Sequence, residues 1–140
     1  MNHVGKNHII RAALESIAYQ SEDLLAAMNA DMQSVAGKVN KIHSLRVDGG
    51  ASANALLMQM QSDLSGIEVI RSANPEATAA GAAYLAGLAV GFFCNREELK
   101  NKLGSGNVYR PAIDEATRTE HMKGWHRAIK ACRVFSESEE

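Results

Sequence analysis

Residues 46–63, RVDGGASANALLMQMQSD, decide the fold, because a strand pattern ends there in two glycines and a helix pattern begins a few residues later. Just before the glycines, Leu45 and Val47 alternate with polar residues, as on one face of a strand. The residues at helical spacing are Ala53, Leu57, Met60 and Leu64. A second strand pattern follows over residues 67–72. Strands joined by a crossover of this length can pair in parallel, so the segment predicts a βαβ unit.

A long amphipathic helix is predicted before this unit, over residues 6–32. Its apolar residues recur at intervals of three and four, and they are Ile10, Leu14, Ile17, Leu24, Leu25 and Met28. Residues 33–44 are rich in Gly, Asn, Ser and Lys and show no period, so they predict a surface connection.

Three further helical patterns follow the unit. They cover residues 76–92, residues 95–103 with Asn95 as the cap, and residues 114–134. Trp125, Ile129 and Val134 are expected to anchor the last of them on the domain.

The uncharged stretch at residues 79–94 raises the alternative of a membrane span. A spanning helix needs about 20 predominantly apolar residues, and this run is shorter and mostly Ala and Gly. A glycine inside a helix costs roughly 1 kcal/mol relative to alanine, so close packing is the expected compensation. The small residues concerned are Ala79, Ala83, Gly87 and Gly91. We therefore predict a buried helix that packs on the sheet or on another helix, and no membrane span.

Composition favours one globular domain, at residues 1–135, followed by an acidic tail at residues 136–140 that we expect to fray. The chain has 140 residues, 46% of them hydrophobic, which is enough for one core. The 15 Lys and Arg against 16 Asp and Glu show no basic block, so no nucleic-acid partner is predicted. Cys94 and Cys132 lack metal-ligand spacing and follow no secretory signal, so a cytoplasmic location is expected.

The paired glycines form the candidate binding site. Gly49 and Gly50 follow the carboxyl end of the first strand, where open α/β sheets place their ligands. Glycine accepts positive φ angles and lets a ligand lie against the backbone. A helix starting near Ser52 or Ala53 would direct its free N–H groups into the same space, and Asn54 would add an amide. The alternative is a purely structural turn, since the pattern is neither a P-loop nor a dinucleotide fingerprint.

Other polar residues near these turns are candidates for binding, capping and metal-ligand roles. Asp48 could act as a metal ligand or base, or it could cap the glycine turn. Glu76 and Thr78 are expected to cap the following helix, with Asn74 or Ser72 contributing. No metal site is predicted, because the five-residue spacing of His121 and His126 places them on different faces of a helix, and both are expected on the surface.

Three segments together resemble the FGGY carbohydrate kinase family, and within it the glycerol kinases. They are NHIIRAALESIAYQSEDLLAAM at residues 7–28, LRVDGGASANALLMQMQSD at residues 45–63, and PEATAAGAAYLAGLAVGFF at residues 75–93. The resemblance runs from about Gly5 to about Ala131. Two departures are small, because Ala55 and Ala80 stand where glycerol kinases usually carry Asn and Leu. The loop at residues 37–41 looks longer, and the residues before Gly5 do not match. The major departure is that the family's amino-terminal domain and the opening antiparallel strands of the second domain have no match in this sequence.

The resemblance implies a ribonuclease H-like domain of the actin-like ATPase superfamily, namely the ATP-binding carboxyl-terminal domain. Gly50 and Asn54 match the family positions that contact the adenine nucleotide, and Gly49 matches the first glycine of that turn. The implied reaction transfers the γ-phosphate of ATP, with Mg²⁺, to glycerol. The family's base and its glycerol contacts belong to an amino-terminal domain that does not match this chain. No catalytic residue is therefore predicted here, and the segment alone is expected to be inactive.

Partners follow from the same resemblance and from the incomplete sheet. Only two strands are predicted, which would leave both sheet edges open, so we expect the sheet to be completed from outside this chain. ATP or ADP should bind, and glycerol only together with the amino-terminal domain. We expect either a homo-oligomer or association with that domain. The alternatives are a non-catalytic interaction module that pairs through the open edge, and a part of another FGGY sugar kinase.

Overall fold

The computed structural model describes residues 4–36, 41–74, 76–103 and 106–137, and all statements below concern these residues. Five helices and three strands follow one another along the chain. They are α1 (Lys6–Ala36), β1 (Ser44–Val47), α2 (Ala55–Ser65), β2 (Glu68–Arg71), α3 (Ala77–Ala89), α4 (Arg96–Leu103), β3 (Val108–Tyr109) and α5 (Glu115–Glu137). The predicted surface connection is shorter than expected, because α1 continues to Ala36. Part of it, at residues 37–40, lies outside the described residues.

The sheet has the order β1-β2-β3. β1 and β2 pair in parallel, from Ser44 opposite Glu68 to Val47 opposite Arg71, which confirms the predicted βαβ unit. β3 pairs antiparallel with β2 and was not predicted. Two residues are too few to show an alternating pattern, so this strand exists only through its partner. The described sheet therefore still has two edge strands, now β1 and β3, because each of them pairs only with β2.

A buried serine holds β3 and the start of β2 to α2. The Ser62 side chain is fully buried, and its Oγ lies 2.9 Å from the carbonyl oxygen of Ile67 and 3.1 Å from that of Tyr109, to which it donates. Such a hydroxyl group is tolerated in a core because its hydrogen bonds replace those it would make to water.

The core lies between α1, α2 and the sheet. Its buried members are Ala18, Leu57, Met58, Met60, Leu64 and Val69. The predicted stripe on α2 is thus confirmed for three of its four residues. Ala53 is exposed, because it lies in a 3-10 turn that precedes the helix.

Helix α1 buries less of its predicted apolar face than expected. Leu25 is buried and Leu14 is partly buried. The other four predicted residues are largely exposed, with accessible fractions of 58% for Ile10, 46% for Ile17, 62% for Leu24 and 46% for Met28. The described part of the chain therefore covers only one side of this helix.

Helix α3 corrects the prediction of a buried helix. Ala79 and Ala83 are exposed, and Leu85 keeps 67% of its surface accessible. Of the described glycines in and after this helix, Gly87 makes a close contact, since a Cβ there would lie 2.6 Å from the ring of Phe93, whereas one at Gly91 would meet nothing within 4 Å. Gly87 therefore leaves space for the Phe93 ring, which packs back against the helix. Gly91, with a φ of 73°, turns the chain at the end of the helix. Among the described residues, no helix is long and apolar enough to cross a membrane.

The last two helices begin as their sequences indicate. Asn95 Oδ1 accepts a hydrogen bond from the Glu98 amide at 2.9 Å, which confirms it as the cap of α4. Helix α5 runs through Glu137, three residues beyond its predicted end, and residues 138–140 lie outside the described residues.

Trp125 anchors α5, as predicted. Its ring stacks on Tyr19 of α1 at a centroid distance of 5.1 Å, and its Nε1 donates to Asp23 Oδ2 at 2.7 Å. Ile129 and Val134 were wrongly expected to help, because they keep 40% and 59% of their surfaces exposed.

Candidate functional site

The glycine turn, residues 48–53, leaves the carboxyl end of β1. Gly49 has φ 83° and ψ 175°, a conformation that side-chain-bearing residues avoid, so glycine is required there. The carbonyl oxygen of Gly49 accepts two hydrogen bonds from Ser52, from its amide at 3.1 Å and from its Oγ at 2.7 Å. Ser52 is only 5% exposed. A buried serine therefore holds the turn closed, a role that sequence reasoning missed.

Gly50 is a different case from Gly49. Its φ is not positive, and a Cβ placed on it would meet no atom within 4 Å. Nothing in the described part of the chain requires glycine at this position. A bare backbone facing open space is what a ligand lying directly on the chain would need.

Asn54 caps helix α2. Its Oδ1 accepts from the amides of Leu56 at 3.0 Å and Leu57 at 3.2 Å. The helix therefore begins at Ala55, later than predicted, and two of its free N–H groups are already satisfied. This weakens the expected anion site at the helix start. The amide NH₂ of Asn54 makes no hydrogen bond to the described residues and stays available as a donor.

A second turn lies at the same edge of the sheet, because the carboxyl ends of parallel strands meet there. The Ser72 amide donates to the Val47 carbonyl oxygen at 2.9 Å and joins the two strand ends. Asn74 Oδ1 then accepts from the Glu76 amide at 2.9 Å, at the position preceding α3. Glu76 itself makes no side-chain cap hydrogen bond, so Asn74, and not Glu76, orders this entry to the helix.

Asp48 does not cap the glycine turn. Its carboxylate is exposed and makes no hydrogen bond or ion pair with the described residues. The expectation of a turn cap was wrong, since the Ser52 hydroxyl takes that place. Asp48 is thus one unpaired carboxylate beside the glycine turn.

The described residues contain no group of three or more His, Cys, Asp or Glu that could hold a metal ion. His121 and His126 are both exposed, as predicted. His126 Nε2 lies 2.8 Å from Asp23 Oδ1, so its partner is a carboxylate of α1.

A second concave region, the amino-end cleft, lies at the opposite end of the parallel strands. It has a volume of about 590 Å³ and is bounded by α1, α5 and the residues that lead into β1 and β2. Burial, helped by the nearby Asp23 carboxylate, raises the pKa of the Glu22 carboxyl in its wall, against the opposing attraction of Arg118 and Lys41.

We expect Glu22→Gln to remove part of the pH dependence of folding. Folded Glu22 keeps its proton to a higher pH than unfolded Glu22, so the chain loses stability as pH rises from the ordinary value of 4.5 through the raised folded value. Relative to the unsubstituted chain, Glu22→Gln should therefore gain stability across that window and hold the gain above it. Urea unfolding at several values from about pH 4 to pH 7 measures this. A difference that does not change with pH would contradict it.

Comparison with known proteins confirms the resemblance. The model of the FGGY family of carbohydrate kinases, C-terminal domain, matches residues 1–90, which include the glycine turn and Asn54. The chain is 49% identical over 134 residues to a glycerol kinase of Carboxydothermus hydrogenoformans, covering 96% of this chain and 26% of that protein. It is 52% identical over 132 residues to a glycerol kinase of Clostridium beijerinckii, covering 94% and 25%.

A solved structure agrees with these relatives. The crystal structure of Plasmodium falciparum glycerol kinase with ADP superposes with a TM-score of 0.79 at 31% identity, over 93% of this chain and 26% of that one. The chain thus spans about a quarter of the length of the proteins it matches.

Proposed function

Because this chain belongs to the FGGY family of carbohydrate kinases, we propose that it is the adenine-nucleotide-binding part of an enzyme that transfers the γ-phosphate of ATP to glycerol, giving sn-glycerol 3-phosphate. The observation that carries the nucleotide role is the bare glycine turn, where Gly50 has no structural reason of its own to be glycine. The glycerol kinases among the relatives, one of them solved with ADP, support the choice of substrates. We assign the fold to the ribonuclease H-like group of the actin-like ATPase superfamily and the location to the cytoplasm.

In this proposal the glycine turn positions the nucleotide and breaks no bond. Gly49 sets the direction of the chain, and Gly50 lets the nucleotide approach the backbone. Asn54 offers its NH₂ as a donor while its oxygen holds the start of α2. Fixing a reactant in this way lowers the entropy cost of the reaction.

The remaining chemistry of phosphoryl transfer is proposed to come from outside this chain. Such a transfer needs a metal ion and a group that orients the attacking hydroxyl. Among the described residues, no group of three or more His, Cys, Asp or Glu could hold a metal ion, and Asp48 is a single carboxylate beside the glycine turn. We propose that Mg²⁺ accompanies ATP, and that the 140-residue chain by itself phosphorylates no glycerol.

We further propose that the rest of the kinase covers β1 and α1. β1 is one of the two edge strands of the described sheet, and its unpaired backbone groups can accept another strand. The exposed Ile17 and Leu24 of α1 also offer an apolar surface. The same features would serve self-association, so an interaction module that binds no nucleotide is the second candidate.

The proposal is tested by replacing Gly50 with leucine. Since a Cβ at this position meets nothing within 4 Å, Gly50→Leu should keep its unfolding transition. The leucine side chain would occupy the space of the nucleotide, so ADP affinity, measured by isothermal titration calorimetry, should fall at least about tenfold, which is roughly 1.4 kcal/mol.

Gly124→Leu is the matched control, because Gly124 lies in α5 and a Cβ placed on it would also meet nothing within 4 Å. It should bind ADP as the unsubstituted chain does. Unchanged ADP binding by Gly50→Leu would reject the site. An unsubstituted chain that dimerises without binding ADP would favour the interaction module.

A further inference from the structure

We propose that the amino-end cleft is a second ligand site, which binds a small phosphate-bearing molecule through Arg118, Lys41 and Lys123. The inference is independent of the proposed nucleotide site, which lies at the other end of the parallel strands. The volume of about 590 Å³ is within the range of pockets that hold small molecules.

The cleft carries more positive than negative groups. Its cationic or titratable basic residues are Lys41, His43, Arg118, Lys123 and His126, and its acidic residues are Glu22 and Glu115. With both histidines neutral, three positive charges face two negative ones. The field in the cleft therefore favours an anion.

Two of the three cations are free to bind it. Lys123 Nζ lies 3.8 Å from Glu120, a loose and exposed pair. By contrast, Arg118 and Lys41 make no ion pair with the described residues. Glu22 attracts both of them, and Asp114 attracts Arg118, only at longer range. A cation that lacks a close carboxylate keeps its hydrogen-bonding capacity for a ligand.

The placement of the Arg118 side chain is the strongest evidence for an anion site in the cleft. Its guanidinium lies over Gly66, where a side chain of any size would overlap it, and its Nε is buried without a hydrogen-bond partner. Unpaired buried donors are uncommon in folded proteins. Gly66 ends α2 with φ 68°, so glycine is needed there both for the left-handed conformation at the helix end and for the space that the Arg118 guanidinium occupies. A guanidinium held in this way along a cleft can bind a phosphate group with two parallel hydrogen bonds.

Calorimetric titration of the 140-residue chain with inorganic pyrophosphate, at constant ionic strength set by chloride, tests the site. We expect saturable binding that weakens at least about tenfold in Arg118→Gln, the effect of losing charge-assisted hydrogen bonds. Arg127→Gln is the matched control, because Arg127 lies on the same helix outside the cleft. It should bind as the unsubstituted chain does.

Three further measurements distinguish the possible results. Arg118→Lys retains the charge and should bind with intermediate affinity, and thermal unfolding of each variant shows whether it is folded. Gly50→Leu should bind pyrophosphate normally. Pyrophosphate binding that is lost in Gly50→Leu and kept in Arg118→Gln would place the anion at the glycine turn. That result would overturn the cleft site while leaving the nucleotide site intact, and the absence of saturable binding would overturn it as well.

Discussion

Gly106→Ala is expected to destabilise the chain by about 3 kcal/mol or more, the size of effect that follows when a side chain is forced into occupied space. A Cβ at this position would overlap the carbonyl oxygen of Arg71 and lie 2.7 Å from its carbonyl carbon and 3.2 Å from the Ala73 amide. All three are backbone atoms, so no rotamer change relieves the overlap. The strand end must move, and with it the hydrogen bond of 2.8 Å from the Arg71 amide to the Asn107 carbonyl oxygen.

Gly124→Ala is the control for this prediction. A Cβ at Gly124 meets nothing within 4 Å, and alanine is favoured over glycine inside a helix by up to about 1 kcal/mol. The same substitution should therefore stabilise α5. Urea unfolding followed by the fluorescence of the one tryptophan measures both variants. Equal stabilities of the two variants would show that β3 does not approach β2 as described.

Trp125→Ala is expected to lower the free energy of unfolding by about 3 kcal/mol, since a large aromatic side chain is deleted from a contact between helices. The substitution removes the stack on Tyr19, with an interplanar angle of 6°, and the hydrogen bond to Asp23. Because it also removes the fluorophore, unfolding is followed by far-ultraviolet circular dichroism. We expect a lower transition midpoint and loss of helical signal from α5.

Two variants separate the contributions at this contact. Trp125→Phe keeps a ring against Tyr19 but loses the N–H, so it should cost less than Trp125→Ala. Ile129→Ala changes a partly exposed residue of the same helix and should cost under about 1 kcal/mol. If Ile129→Ala and Trp125→Ala were equally destabilising, the contact with α1 would not be what holds α5.

At the candidate site, local sequence patterns predicted the position of the turn but not the roles of its polar side chains. Gly49 and Gly50 could be located from sequence because they end a strand pattern, and positive φ at Gly49 follows from the abrupt change to a helix. The roles of Ser52 and Asp48 could not be assigned in advance. Both are polar residues next to a turn, and only the folded path of the chain decides which side chain reaches the Gly49 carbonyl oxygen.

The βαβ unit and the helix cap at Asn95 depend on neighbours in sequence, and for that reason the amino-acid sequence alone determined them. β3, the exposure of α3 and the amino-end cleft depend on segments far apart in the chain. Val69 pairs with Tyr109, and Glu22 faces Arg118, through packing that no local period encodes. Tertiary structure decided these features, because burial and pairing belong to two surfaces at once and each surface is set by the rest of the fold.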